Sequence, residues 1–278
     1  MIGRQDLSEH PFTTSFNSND VRLTTRVDED NFYDMFWSCI HEGGHGLYEQ
    51  GLPAKQYGLP CGESISLGIH ESQSRLYENN IGRSKAFWKT NYKKLQKVFP
   101  ENLNKITFDK FYKGINIVEP SFIRTDADEL TYHFHIMIRY EIEKKVIEGT
   151  IEVKDLKKEW NAAYKKYLKI DVKSDKEGIL QDVHWAHGGF GYFPTYSLGS
   201  FYAAQFFNKA KEDIEGLENE IEKGNMQPLL DWLRKRIHKH GKFYSAKKVC
   251  EKATGEKLNF KYFMNYVEKK YSEIYKLK

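Results

Sequence analysis

Apolar side chains recur at helical intervals over most of the chain, and alternation is confined to a short run near its start. In residues 30–50, Phe32, Met35, Phe36 and Cys39 stand at i, i+3, i+4 and i+7, acidic residues precede them, and Gly51 and Pro53 follow, which predicts a helix. Just before it, Val21, Leu23, Thr25 and Val27 alternate with Arg22, Thr24 and Arg26, a strand pattern over 20–27 with one apolar and one polar face. Residues 1–20 carry no period and read as extended or loop. After a turn-rich connection over 51–63, Ser64 is placed to cap a second helix that carries Ile65, Leu67, Ile69 and Leu76 and stops at Asn79, Asn80 and Gly82. Helices are also expected over 84–99, 107–113, 126–148 and 155–168 and again from Phe201 onward, with 115–125 extended around Pro120. Residues 178–200 differ: Gly188, Gly189 and Gly191 among polar aromatics make a poor core and a good loop for lining a cleft. No repeat, low-complexity tract or linker interrupts the pattern, so residues 1–278 read as one region of a mainly α fold.

Composition adds exclusions. The chain has 278 residues, 40% of them hydrophobic, enough for a sizeable core, and only 7 prolines. Its 43 basic and 39 acidic residues are interspersed, giving a net charge of +4 and a solvated surface, not a nucleic-acid stripe. The 3 cysteines, Cys39, Cys61 and Cys250, are widely spaced, which argues against a disulfide framework and for a reducing cytoplasm. The first residues lack the apolar stretch that export needs, and no run approaches a membrane span.

Candidate chemistry sits inside the first predicted helix. His41-Glu42-Gly43-Gly44-His45 is an HExxH pattern: histidines four apart share a helix face and can offer two imidazoles to one divalent ion, with Glu42 beside them to handle a proton. Gly43 and Gly44 each cost a helix about 1 kcal/mol relative to alanine, which makes sense where a metal and a peptide approach the backbone. A zinc site of this kind takes a third protein ligand. Where some HExxH proteins carry a third histidine this chain has Gly51, so a glutamate from the next helix is expected. Glu71 is the leading candidate, with Glu49, Glu63 and Glu78 as competitors and a plain surface pair of Glu71 with Arg75 as the bland alternative. His133 and His135 read as packed or solvated histidines, and Arg22 and Arg26 as an ordinary strand face.

The order of short words along the chain resembles the carboxypeptidase Taq family of metallocarboxypeptidases. These words are His10-Pro11-Phe12, Asp20-Val21-Arg22-Leu23-Thr24, His41-Glu42-Gly43-Gly44-His45, His70-Glu71-Ser72-Gln73, Ile123-Arg124-Thr125-Asp126-Ala127-Asp128 and Gly178-Ile179-Leu180-Gln181-Asp182-Val183-His184-Trp185. The resemblance implies a helical metallopeptidase fold with a deep groove and a small β element near the active site, similar to angiotensin-converting enzyme and the thimet-type oligopeptidases, and a homodimer. It implies zinc or cobalt on His41, His45 and Glu71, with Glu42 as general base. It implies Arg124 for the terminal carboxylate of a short peptide, with His10 and Arg22 as further substrate-binding residues. His184, with Tyr196 or Tyr192, is implied to steady the oxyanion. The family's members are longer, and this chain corresponds to their C-terminal half. The expected activity is therefore removal of C-terminal residues from short peptides. An endopeptidase with the same metal chemistry remains an alternative, as does an inactive metal-binding fragment, or one subunit of a split enzyme awaiting a complementing N-terminal polypeptide.

Overall fold

The computed structural model of the chain describes residues 3–277. Met1 and Ile2, at the start of the segment expected to be extended, and Lys278 lie outside the described residues. Three strands come first, β1 (Gly3–Leu7), β2 (Thr13–Asn17) and β3 (Asp20–Thr25). The helices follow as α1 (Phe32–Gly51), α2 (Leu67–Arg75), α3 (Lys85–Val98), α4 (Pro100–Leu103), α5 (Phe108–Gly114), α6 (Tyr132–Ile147) and α7 (Leu156–Tyr167). They continue as α8 (Pro194–Asp213), α9 (Leu217–Glu222), α10 (Gln227–Arg236), α11 (Ala246–Thr254) and α12 (Lys261–Tyr275). The mainly α fold with a small sheet is thus as expected. The chain forms two compact units, one made of the residues up to Tyr112 and those from Leu198, the other of Lys113–Ser197. No linker marks the division, because the chain re-enters the first unit inside α8.

In the first unit β3 is the central strand, parallel to β1 and antiparallel to β2. The expected alternation holds only for Val21, which is buried, and Arg22, which is exposed: Leu23 is half-buried, Thr24 of the expected polar face is buried beside Thr25, and Val27 is exposed beyond the strand end at Thr25, because the central strand is covered by neighbours on both faces there. The sheet lies against α1: Thr25 Oγ1 meets Ser38 Oγ at 3.0 Å and Gln5 Nε2 donates to Cys39 Sγ at 3.1 Å. β1 and β2 were not legible because their side chains stay mostly exposed, and the sheet holds them by backbone pairing. Asn31 caps α1, its side chain accepting from the Tyr33 and Asp34 amides. Ser66, not Ser64, caps α2, accepting from the Ile69 amide at 3.2 Å. Beyond Arg75 that helix widens into a π turn over Leu76–Ile81, closed by the Gly82 amide on the Tyr77 carbonyl. The core of the unit joins Tyr48 of α1, Ile69 of α2, Phe206 of α8, Leu229 and Leu233 of α10 and Val249 of α11, all fully buried.

Two glycines set how closely the helices around α2 approach it. A Cβ at Gly44 would stand 2.6 Å from the Gln73 carbonyl oxygen and 2.6 Å from Ser74 Cα, so the backbones of α1 and α2 touch there. At Gly199 of α8 it would meet Glu71 Cγ and Cβ. At Gly43 it would meet nothing within 4 Å. Gly44 therefore makes room for a neighbouring helix, not for a metal or a peptide as its place in the motif implied.

In the second unit α6 and α7 pack through Ile138, Ile142, Trp160, Tyr164 and Leu168. The helix expected over 126–148 starts later, at Tyr132. Residues 124–126 form a separate 3₁₀ turn, and the Asp128 side chain captures the Leu130 and Thr131 amides. Gly149 stops it with φ of +68°, as expected. The loop expected over 178–200 ends sooner: α8 begins at Pro194, a residue preorganised for a first helical turn. His135 is fully buried against Tyr164, its Nδ1 3.0 Å from the Tyr164 hydroxyl, and His133 Nδ1 lies 2.9 Å from Ser197 Oγ. Both are packed histidines, as expected.

Replacing Gly43 by alanine should raise the thermal midpoint, since it removes a helix-interior glycine worth about 1 kcal/mol without a clash. Gly44→Ala should lower stability by several times that amount, and equal effects of the two changes on calorimetry would contradict the packing described. Acid stability should also depend on His238, which is fully buried and donates from Nε2 to Gln73 Oε1 at 2.9 Å. Burial, aided by the Arg234 charge, pushes its pKa down to about 3. Between pH 6.5 and that value the unfolded chain binds a proton that the folded chain does not, so stability present above pH 6.5 is lost as pH falls. At pH 5 the loss is about 2 kcal/mol. Urea unfolding at pH 7 and pH 5 should show His238→Gln losing about 2 kcal/mol less than the native chain between the two.

Candidate metal centre

α1 sets His41 and His45 on one face, their ring centroids 4.9 Å apart, and α2 brings Glu71 up to them. Glu71 Oε2 lies 3.4 Å from His45 Nε2 and 3.7 Å from His41 Nε2, and the three donor atoms all fall within 4.8 Å of one another. Donors about 2.0–2.1 Å from a tetrahedral ion stand roughly 3.3 Å apart, so two imidazole nitrogens and one carboxylate oxygen fit a divalent ion here. Glu71 is nearly fully buried and its second oxygen accepts from Arg75 Nε at 2.7 Å. The pairing with Arg75 and the part in the donor set thus coexist on one carboxylate. Among the described residues no other cluster of histidine, cysteine and carboxylate side chains has this geometry.

Around these donors lies a second ring of partners that spacing did not reveal. Glu78 Oε2 lies 2.7 Å from His41 Nδ1 and accepts from Arg75 at 3.1 Å. His70 Nδ1 lies 2.6 Å from His45 Nδ1, and His70 Nε2 lies 2.7 Å from Glu49 Oε1. Two of the competing glutamates, Glu78 and Glu49, are therefore outer partners, and the third, Glu63, pairs with exposed Lys242. Burial raises the cost of charging Glu71 and Glu78, yet their cationic neighbours outweigh it: Glu71 is held far below the usual carboxylate range and Glu78 at about 2. Burial likewise opposes protonation of both imidazoles. For His41 the charges of Glu71 and Glu78 overcome it and raise the pKa, whereas for His45 it prevails, helped by His41 and His70, and the pKa falls.

Glu42 is buried beside this set. Thr13 Oγ1 on β2 donates to its Oε2 at 2.6 Å and reaches its backbone carbonyl at 2.9 Å, so the small sheet steadies the carboxylate of the HExxH helix. Thr13 follows the His10-Pro11-Phe12 word directly, the one sequence signal that could have pointed to it. His10 and Arg22 are exposed: His10 Nδ1 lies 2.6 Å from the Pro11 carbonyl, and Arg22 is paired with Asp20 at 2.9 Å.

The second unit gathers the other expected residues. Arg124 is buried, with Nε and a terminal nitrogen both on Asp182 Oδ1 at 2.9 and 2.8 Å and its other terminal nitrogen 3.2 Å from the Tyr132 hydroxyl. Arg139 takes the other Asp182 oxygen at 2.6 Å. Two guanidinium groups thus share one carboxylate. The Arg124 guanidinium lies 4.8 Å over the Tyr196 ring, and the Tyr196 hydroxyl is 2.8 Å from His184 Nε2. Tyr192 touches His184 ring to ring, with centroids 5.2 Å apart. Burial and the Arg124 charge lower the His184 pKa, which keeps this ring neutral at pH 7. Glu143, also missed, fastens the glycine loop by accepting from Trp185 Nε1 at 2.7 Å and the Gly191 amide at 3.1 Å.

Comparison with known proteins bears on the whole chain. A profile of the carboxypeptidase Taq (M32) metallopeptidases matches residues 1–271. Carboxypeptidase 1 of Bacillus subtilis is 48% identical over 99% of this chain and 55% of its own length, and thermostable carboxypeptidase 1 of Thermus thermophilus is 45% identical over 98% and 53%. The crystal structure of the M32 carboxypeptidase from Deinococcus radiodurans R1 matches with a TM-score of 0.96 and 42% identity, over 99% of this chain and 56% of that one. The chain spans about half the length of the curated relatives it matches. Agreement of that extent makes the chain a member of the carboxypeptidase Taq (M32) family of metallopeptidases.

Proposed function

We propose that this chain carries the site of a metal-dependent carboxypeptidase that hydrolyses the last peptide bond of short peptides. The observation that carries the reading is the convergence of His41, His45 and Glu71 within 4.8 Å, with the Glu42 carboxylate buried beside them. Relatives named carboxypeptidase 1 and thermostable carboxypeptidase 1 support the reaction class. Zinc is the ion we assign, with cobalt as the substitute the same donors accept. When bound, such an ion polarises a carbonyl and lowers the pKa of a bound water to about 7.

The chain's own residues supply the rest. Glu42, oriented by Thr13, takes a proton from the attacking water and delivers it to the departing amine. His184 and Tyr196 form one hydrogen-bonded pair, with Tyr192 against the ring, and we assign their donors to the oxyanion that develops on the scissile carbonyl. Arg124 and Arg139 set two positive charges against the single Asp182 carboxylate, and we assign the uncompensated charge to the peptide's terminal carboxylate. His10 and Arg22 are assigned to the rest of the substrate. We place the protein in the cytoplasm as a homodimer. Its three cysteines are free, and among the described residues no helix is long and apolar enough to cross a membrane.

Release of free amino acids from a short unblocked peptide, with zinc or cobalt added and a chelated control, tests the reading. Sequential release from the C-terminus that stops on chelation is expected. Metal binding without release would move the assignment to a metal-holding part that needs a complementing N-terminal polypeptide. Glu42→Gln should keep the ion and lose at least about 100-fold in turnover, and full activity in that variant would remove Glu42 from its role. A peptide ending in an amide should be cleaved far more slowly than its free acid. Equal rates on the two would point to an endopeptidase.

A further inference from the structure

The contact between His45 and His70 joins nitrogen to nitrogen, Nδ1 to Nδ1 at 2.6 Å, and the far nitrogen of His70 lies 2.7 Å from Glu49 Oε1. A hydrogen bond between two imidazole nitrogens uses one hydrogen, so one ring donates and the other accepts. The direction follows from the end of the chain. An ionised carboxylate only accepts, so His70 Nε2 carries a hydrogen, and a neutral His70 then presents a bare Nδ1. The shared hydrogen therefore belongs to His45 Nδ1. That leaves the lone pair of His45 on Nε2, the nitrogen that faces Glu71 at 3.4 Å, so in the metal-free chain the relay works against the Glu71 carboxylate, which would draw a hydrogen onto that same nitrogen. With the chain reversed, Nε2 would carry the hydrogen and could not bind a metal.

We infer that His70 is a positioning residue, through which Glu49 fixes His45 in the one tautomer able to hold a divalent ion. This rests on the reading of His41, His45 and Glu71 as the metal donors. His41 reaches the same state by a shorter route, since Glu78 accepts directly from its Nδ1 at 2.7 Å. The relay crosses between helices twice, from His45 on α1 to His70 on α2 and back to Glu49, one turn further along α1. Tyr48 stands edge to face with the His70 ring at 5.1 Å and holds its plane. His70 immediately precedes Glu71, so one turn of α2 delivers both the third donor and the group that orients the second. Outer partners of this kind set ligand orientation and basicity.

The test has two independent readouts. In the metal-free native chain labelled with ¹⁵N-histidine, His45 should appear as the Nδ1–H tautomer and His70 as Nε2–H, and His70→Ala should abolish the bias at His45. Zinc affinity, measured by competition with a chelating dye, should fall about 10- to 100-fold in His70→Ala. His70→Asn, whose side-chain carbonyl can still accept from His45 Nδ1, should recover much of the loss, which a merely space-filling role would not predict. Glu49→Ala should weaken zinc binding less than His70→Ala. A folded His70→Ala that binds zinc like the native chain, or a native His45 found as Nε2–H, would overturn the inference. A native chain that binds no zinc while His45 still shows Nδ1–H would refute the metal reading and leave the tautomer assignment standing.

Discussion

The site depends on one close approach, the contact of the α1 and α2 backbones at Gly44. With no side chain between them, the HExxH helix and the helix carrying Glu71 lie near enough for a carboxylate to reach two imidazoles, and for His70 to reach His45. Gly199 of α8 does the same on another side of α2, where its bare backbone packs on the Glu71 side chain. The donor geometry is thus a property of helix packing first and of ligand identity second. Packed interiors transmit even a methyl group's displacement, and here the displaced element would carry Glu71 away from the two imidazoles.

Close packing also forces a solution to an electrostatic problem. Glu71 and Glu78 are removed from water, and an isolated buried carboxylate is costly. Arg75 bridges them, one guanidinium facing two carboxylates. Arg83 stands 3.9 Å from Glu78 on another side, so two guanidinium groups match the two carboxylates. The Glu71 oxygen that does not face Arg75 is the one turned towards the two imidazoles.

The sequence made much of this legible where the relevant spacing lies within one element. His41 and His45 are read from a four-residue interval on a helix, and Glu71 from its place on the next one. Relations between elements were opaque. Thr13 meets Glu42 across a sheet-to-helix contact, and Asp182 meets Arg124 across a loop, so no interval encodes either pair. Glu49 and Glu78 looked like rival ligands because residue type and distance along the chain cannot tell an inner donor from its outer partner. Local chemistry also misled: Ser64 and Ser66 are equally good caps on paper, and it is Ser66 that accepts from the Ile69 amide, where the buried Ile69 enters the core. Gly44 read as a place for substrate when its purpose is to admit the Gln73 carbonyl.

The first unit is assembled from two stretches of chain with the whole second unit inserted between them. Glu71 and the Gly199 that packs on it are 128 residues apart (199 − 71). At ribosomal rates of about 5–20 residues per second, the later stretch emerges roughly ten seconds after the earlier one. Throughout that interval the buried carboxylates and the apolar face of α2 have no cover from α8. Closing so long a loop slows completion of the native packing, so the nascent chain passes through a period in which Glu71 lacks the cover that Gly199 later gives it.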